Sequence, residues 1–172
     1  MGPYWKDGSV DHFAVELHPS DDYATVIYAF TNVPLSTTGT ATVSIPGAYN
    51  GSYYLTIKQR NHLETVSALP VSFAGTTISY AFDALTQAYD GNMTQVLEAD
   101  GETMSPPLIF GGDTNQDGQI ESDDINAVGN DAALSVLGFG PTDIVPDAQV
   151  ESADINIVGN NAALNIYAHI PM

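Results

Sequence analysis

The sequence predicts a mainly β sandwich, residues 1–111, followed by a small α module built by duplication, residues 112–172, and three observations carry that expectation. Runs with an apolar residue at every second position fill the first part. Acidic residues lose all basic company near Gly111-Gly112. A sixteen-residue segment then recurs thirty residues further on.

In the first part, Phe13, Val15 and Leu17 alternate with His12, Glu16 and His18, the pattern of a half-buried strand. Ala24 to Thr31 is apolar on both faces and predicts a central strand. Ala41, Val43 and Ile45 alternate again, as do Tyr53, Leu55 and Ile57 within Ser52 to Arg60, and Ile78, Tyr80 and Phe82. Proline- and glycine-rich turns separate these runs. Six or seven strands over roughly 100 residues indicate two packed sheets of the immunoglobulin or prealbumin kind, long enough to bury a core.

Charge limits what the chain can bind. Residues 1–111 hold eleven acids and all three bases, Lys6, Lys58 and Arg60, whereas residues 112–172 hold ten acids and no base, and the net charge is −18. A field of that sign opposes nucleic acid and anionic membrane. No run approaches the length of a membrane span, so membrane insertion is not expected. With no cysteine, disulfides and thiolate metal sites are excluded, and any metal must be held by oxygen. The start, MGPYWKDG, lacks the basic and apolar regions of a signal peptide, and the chain reads as a piece excised from a larger protein.

Asp113 to Asp124, DTNQDGQIESDD, has the spacing of a calcium loop. Asp113, Asn115 and Asp117 stand at positions 1, 3 and 5, Gly118 at 6, Gln119 at 7 to offer its carbonyl, Glu121 at 9 and Asp124 at 12. Alternate oxygens converge on one cation only if the chain bends sharply between them, which glycine at position 6 permits. An acidic, Asx-rich turn that needs no metal is the competing reading.

Residues 119–134, QIESDDINAVGNDAAL, return as 149–164, QVESADINIVGNNAAL, with twelve of sixteen positions identical. Each copy predicts a helix with Ser122 or Ser152 as N-cap, and with Ile125, Val128 and Ala132, or Ile155, Val158 and Ala162, on one face. Gly129 and Gly159 leave two alternatives, a continuous helix or one that stops and restarts. A second calcium loop is expected to be weaker: Asp143, Asp147, Gln149, Glu151 and Asp154 keep positions 1, 5, 7, 9 and 12, but Val145 stands at 3 and Ala148 at 6.

The duplicated loop and helix resembles a type I dockerin, the F-hand calcium module by which bacterial cellulosomes and related surface complexes dock their parts. The wider run GSYYLTIKQRNHLETVSALPVSF, ISYAFDALTQAYDGNMTQV, GGDTNQDGQIESDD and IVGNNAALNIYAHIP looks like the C-terminal region of secreted, multidomain bacterial surface proteins. The resemblance implies calcium on Asp113, Asn115, Asp117, Gln119 and Asp124. It also implies a cohesin-like or other surface protein as partner, secretion or display on the cell surface, and a parent such as a glycoside hydrolase or other hydrolase. Ser122-Asp123 and Ser152-Ala153 fall where dockerins touch their partners. Asn126 and Asn156 join them, because they too match between the copies although the calcium ligands do not require it; recent duplication with too little time to diverge is the competing reading.

Enzymatic motifs are missing: no G-x-S-x-G, no phosphate-cradling glycine loop, and four scattered histidines. Carbohydrate binding is the rival class, with Trp5, Tyr23, Tyr49 and Tyr54 as candidate stacking residues. A structural stalk stiffened by calcium is the other. His62 is expected to be hydrogen-bonded at a strand end, and Lys58 and Arg60 to lie on a solvated strand face.

Overall fold

A computed structural model describes residues 8–172. Contacts divide the chain into two compact units. The first takes in the chain up to Gln59, Thr65–Gly91 and His169–Met172, and the second takes in Arg60–Glu64 and Asn92–Ala168, so the composition shift at 111–112 falls inside the second unit.

The first unit holds five antiparallel strands, β1 Asp11–Pro19, β2 Tyr28–Leu35, β3 Ser52–Gln59, β4 Thr65–Val66 and β5 Val71–Ser72, in the order β2-β1-β3-β4 with β5 also on β3. The predicted alternation sets the register: Val15 pairs with Phe30 and Ile57, and Leu17 with Tyr28 and Leu55. Apolar side chains thereby share one face, and Val15, Leu17 and Val33 are buried there. On the opposite face His18 donates from Nδ1 to the Tyr23 carbonyl (2.6 Å) and stacks on the Tyr23 ring, whose hydroxyl bonds Thr56 (2.9 Å). Lys58 pairs with Glu16 (3.2 Å).

Two expectations differ from this sheet. The run Ala24 to Thr31, expected to be central, begins its strand later and pairs only with β1. Pro34 has no N–H to give a second neighbour and Asn32 adopts a left-handed backbone (φ 59), which suits an edge. The stretches 41–45 and 78–82 lie outside the ladders. Their alternation appears instead as burial: Val43, Ile45, Ile78, Tyr80 and Phe82 are half-buried between exposed neighbours. Side chains anchor the second of these stretches, with the Tyr80 hydroxyl donating to the Gln87 carbonyl and accepting the Ala68 N–H (3.1 Å).

The second unit ends in two helices, α1 Ser122–Ala133 and α2 Ser152–Ala163. Val128 and Val158 are fully buried with Leu63, Ile120, Ile144 and Val150, and Ile125, Ala132, Ile155 and Ala162 pack against them as the repeat predicts. The repeat pairs crosswise. Gln119, before α1, bridges to Tyr167, after α2, and Gln149, before α2, bridges to Leu137, after α1. The N-caps are Glu121 and Glu151 rather than the serines, because Asp124 and Asp154 reach back to accept their N–H groups (3.0 and 2.9 Å) and set the helix start one residue earlier. Both helices end at left-handed residues, Ser135 and Asn165.

Gly129 and Gly159 lie inside continuous helices, and a Cβ at either would meet nothing within 4 Å. Gly129→Ala should therefore raise stability by roughly 1 kcal/mol, read as a higher urea midpoint at unchanged slope. A lower midpoint would contradict an open, helical site.

Candidate metal centre

The first loop is closed by its own amides. Asp113 Oδ1 accepts the Asp117 N–H and its Oδ2 the Gly118 N–H (both 3.1 Å), Asn115 Oδ1 accepts the Asp117 N–H (3.0 Å), and Asp117 Oδ1 accepts the Gln119 N–H (3.0 Å). Asn115 also donates to Asp117 Oδ2 (2.8 Å). Gly118 supplies the bend at φ 86. Asp124 is fully buried and accepts from the Thr114 N–H and hydroxyl (2.8 Å each) as well as from Glu121. Asp113 is buried too, whereas Asn115, Asp117, Gln119 and Glu121 are exposed.

The second loop has the same bend without the glycine: Ala148 stands at φ 68, in the left-handed region an L side chain avoids. Asp154 is fully buried and accepts the Ile144 and Val145 N–H groups (2.8 Å each), and Asp147 accepts the Gln149 N–H (2.9 Å). Asp147, Gln149 and Glu151 are exposed, Val145 is half-buried, and Ile144 enters the core. Asp143 differs from Asp113. It is 0% exposed, and neither carboxylate oxygen has a hydrogen-bond partner.

Burial dominates the electrostatics of both first positions. It pushes the Asp113 carboxyl up to about 6, with the charges of Asp124 and Asp117 acting the same way and the Gly118 and Asp117 amides against it. Burial also pushes Asp143 up to about 6, opposed by the Arg60 guanidinium and by the amides of Asp147 and Ala148, which face it without closing a hydrogen bond. Both carboxylates are costly to ionise where they stand. Each raised group holds a proton in the fold that the unfolded chain releases, so the metal-free loops lose stability as pH rises from about 4 to about 6.

Among the described residues no three His, Cys, Asp or Glu side chains converge as a metal cluster. The donor set is oxygen throughout, and Asn115 and the backbone carbonyls belong to it. Asp143 has two orphaned, buried oxygens, and such groups call for a partner. An all-oxygen donor set is the kind a hard cation takes.

Ser122, Asp123, Asn126, Ser152 and Asn156 are exposed on the first two turns of the two helices, and Ala153 is half-buried. Ser122 lines a shallow groove of about 460 Å³ between the start of α1 and the end of α2. The sequence reading missed the apolar residues after each helix: Leu134 and Leu164 are 77% and 68% exposed, and Leu137 and Tyr167, equivalent across the repeat, are 74% and 55% exposed. Continuation of the copies past position 164 was the available signal. Arg60 was also missed. Its side chain is not on a solvated face but largely buried in the second unit, where His62 bonds Asn61 (2.8 Å).

Of the aromatic candidates for sugar stacking, Tyr23 is buried, Tyr54 packs edge-on to Tyr23 and Tyr89, and Tyr49 lies against Tyr28. Trp5 lies outside the described residues. Among those residues no helix is long and apolar enough to cross a membrane. No family model, curated protein or solved structure matches the chain.

Ala148→Gly removes the left-handed strain and should stabilise the chain by about 1 kcal/mol, whereas Gly118→Ala should cost about as much. Thermal unfolding in chelator checks both. Destabilisation by Ala148→Gly would show that the second loop does not hold this bend.

Proposed function

We propose that this chain is a non-catalytic part of a secreted bacterial protein, in which a dockerin-like, calcium-stabilised module docks or tethers its parent to a cohesin-like or other surface protein. The observation that carries the reading is the pairing of two related acidic loops with helices that repeat exposed polar side chains near their starts, Ser122 with Ser152 and Asn126 with Asn156. Packing does not require identity at exposed positions. A partner that engages both copies through similar contacts does.

Asp113, Asn115, Asp117, the Gln119 carbonyl, Glu121 and Asp124 would hold the first ion, and Asp143, Asp147, Gln149, Glu151 and Asp154 a weaker second one. A bound cation supplies positive charge to carboxylates that burial disfavours and that no base in residues 112–172 neutralises. The chain's own oxygens do the rest: alternate side chains reach inward, and the left-handed sixth residue turns the backbone toward them. Ser122, Asp123 and Asn126, with Ser152, Ala153 and Asn156, form the contact face, and Tyr167, which lines the groove with Ser122, adds apolar area beside it. The sheet of the first unit is read as one layer of a sandwich spacer, with the extended segments 41–45 and 78–82 as material of the other.

Calcium at a hundredfold excess over Kd should stabilise the chain by about 2.7 kcal/mol relative to chelator. The gain should shrink below pH of about 6, where Asp113 takes up a proton. Asp117→Ala should remove most of it. Capture of a surface protein from the source cell should require calcium and fail when both serines and both asparagines are replaced. A melting temperature indifferent to calcium would sink the metal reading, and capture that survives the four substitutions would sink the interface.

A further inference from the structure

Residues 60–64 lie between β3 and β4 in the chain but belong to the second unit, where their first two side chains are built into the second loop. Arg60 Nε donates to the Gly140 carbonyl (3.0 Å), its Nη2 donates to the Asp143 carbonyl (3.1 Å), and Asn61 Nδ2 donates to that same carbonyl (2.6 Å). The Arg60 Nη2 also stands 3.8 Å from Asp143 Oδ2, with 17% of the arginine side chain exposed and none of the aspartate. Arg60 is the one base in the second unit.

The first loop shows what this arrangement replaces. There the carbonyl of the first residue, Asp113, is held by Gln116 Nε2 (2.7 Å), a neutral donor from inside the loop. The equivalent residue thirty positions on is Pro146, which has no side-chain donor. Arg60 and Asn61 supply the missing bond from outside, and Arg60 adds a full positive charge that the first loop lacks.

We propose that Arg60 is the resident cation of the second loop: it adds to the bonds by which Asn61 and Asp154 close that loop without metal and, by opposing a second positive charge beside Asp143, sets its calcium affinity below that of the first. Guanidinium suits the task, because it stays charged when buried and spreads its donors over two carbonyls. Asp143, orphaned of hydrogen bonds, then has one fixed counter-charge. The effect on affinity rests on the calcium reading above; the structural role does not.

The test uses the full chain with calcium alone, titrated calorimetrically while the amides of Gly118 and Ala148 report each loop separately by NMR. Arg60→Met keeps the stem and removes the charge. Asn61 and Asp154 still hold the loop, so second-loop affinity should rise by about tenfold while the first loop is unchanged. Unchanged or weakened binding at the second loop overturns the proposal.

A wild-type chain that binds calcium at neither loop overturns the calcium reading instead, and Arg60 is then judged without metal by a double-mutant cycle with Asp143→Asn. If Arg60 neutralises Asp143, Arg60→Met lowers the denaturation midpoint in the wild type and by a smaller amount once Asp143 is neutral, the remainder being the two carbonyl bonds that both backgrounds lose. Equal losses in the two backgrounds overturn it. Should Arg60→Met alone fail to fold, the double variant is expected to fold, and failure of both counts against the proposal.

Discussion

Four buried carboxylates govern the second unit, because a charge taken out of water must be met by something. Asp124 and Asp154 are each met by three hydrogen bonds that close a loop onto a helix start. Asp113 is met by two amides, and Asp143 by none. The helix starts, the left-handed sixth residues and the approach of Arg60 all follow from satisfying these groups. The apolar core of Val128, Val158 and their neighbours is small, so polar closure and packing are bound together there.

The duplication makes the unit self-consistent. Each loop pairs its seventh position with the segment that follows the other helix, so neither copy completes its backbone bonding alone. The same exchange puts the segments before the two helices in equivalent pairings. The copies diverge most inside the second loop, at Ile144, Val145, Pro146 and Ala148, and again on the helices, where Ala153 stands for Asp123, Ile157 for Ala127 and Asn161 for Asp131. On the exposed helix face Ser122 and Asn126 keep their counterparts, Ser152 and Asn156.

Much of the second unit was legible because repetition exposes its rules. Helix faces, the loop bend and the core valines follow from spacing in one copy and are checked by the other. The first unit was less legible. Alternation in 41–45 and 78–82 reports half-burial truly, but a strand also needs a hydrogen-bonding neighbour, and period-two patterning does not name one. Ala24 to Thr31 misled because its apolar run stops short of Asn32 and Pro34, which decide the edge. Arg60, Asn61 and Leu63 could not have been placed, since a short R-N-H-L segment at the end of an alternating strand carries no sign of contacts some 80 residues away.

The central claim is that these oxygens are arranged for a cation rather than for the turn's own amides alone. A crystal grown with calcium, recorded at a wavelength where calcium scatters anomalously, tests it directly. The account predicts a strong anomalous peak within about 2.3–2.6 Å of the side-chain oxygens of Asp113, Asn115 and Asp117 and of the Gln119 carbonyl. An ordered first loop with no peak, its carboxylates bonded only to backbone amides, would contradict it.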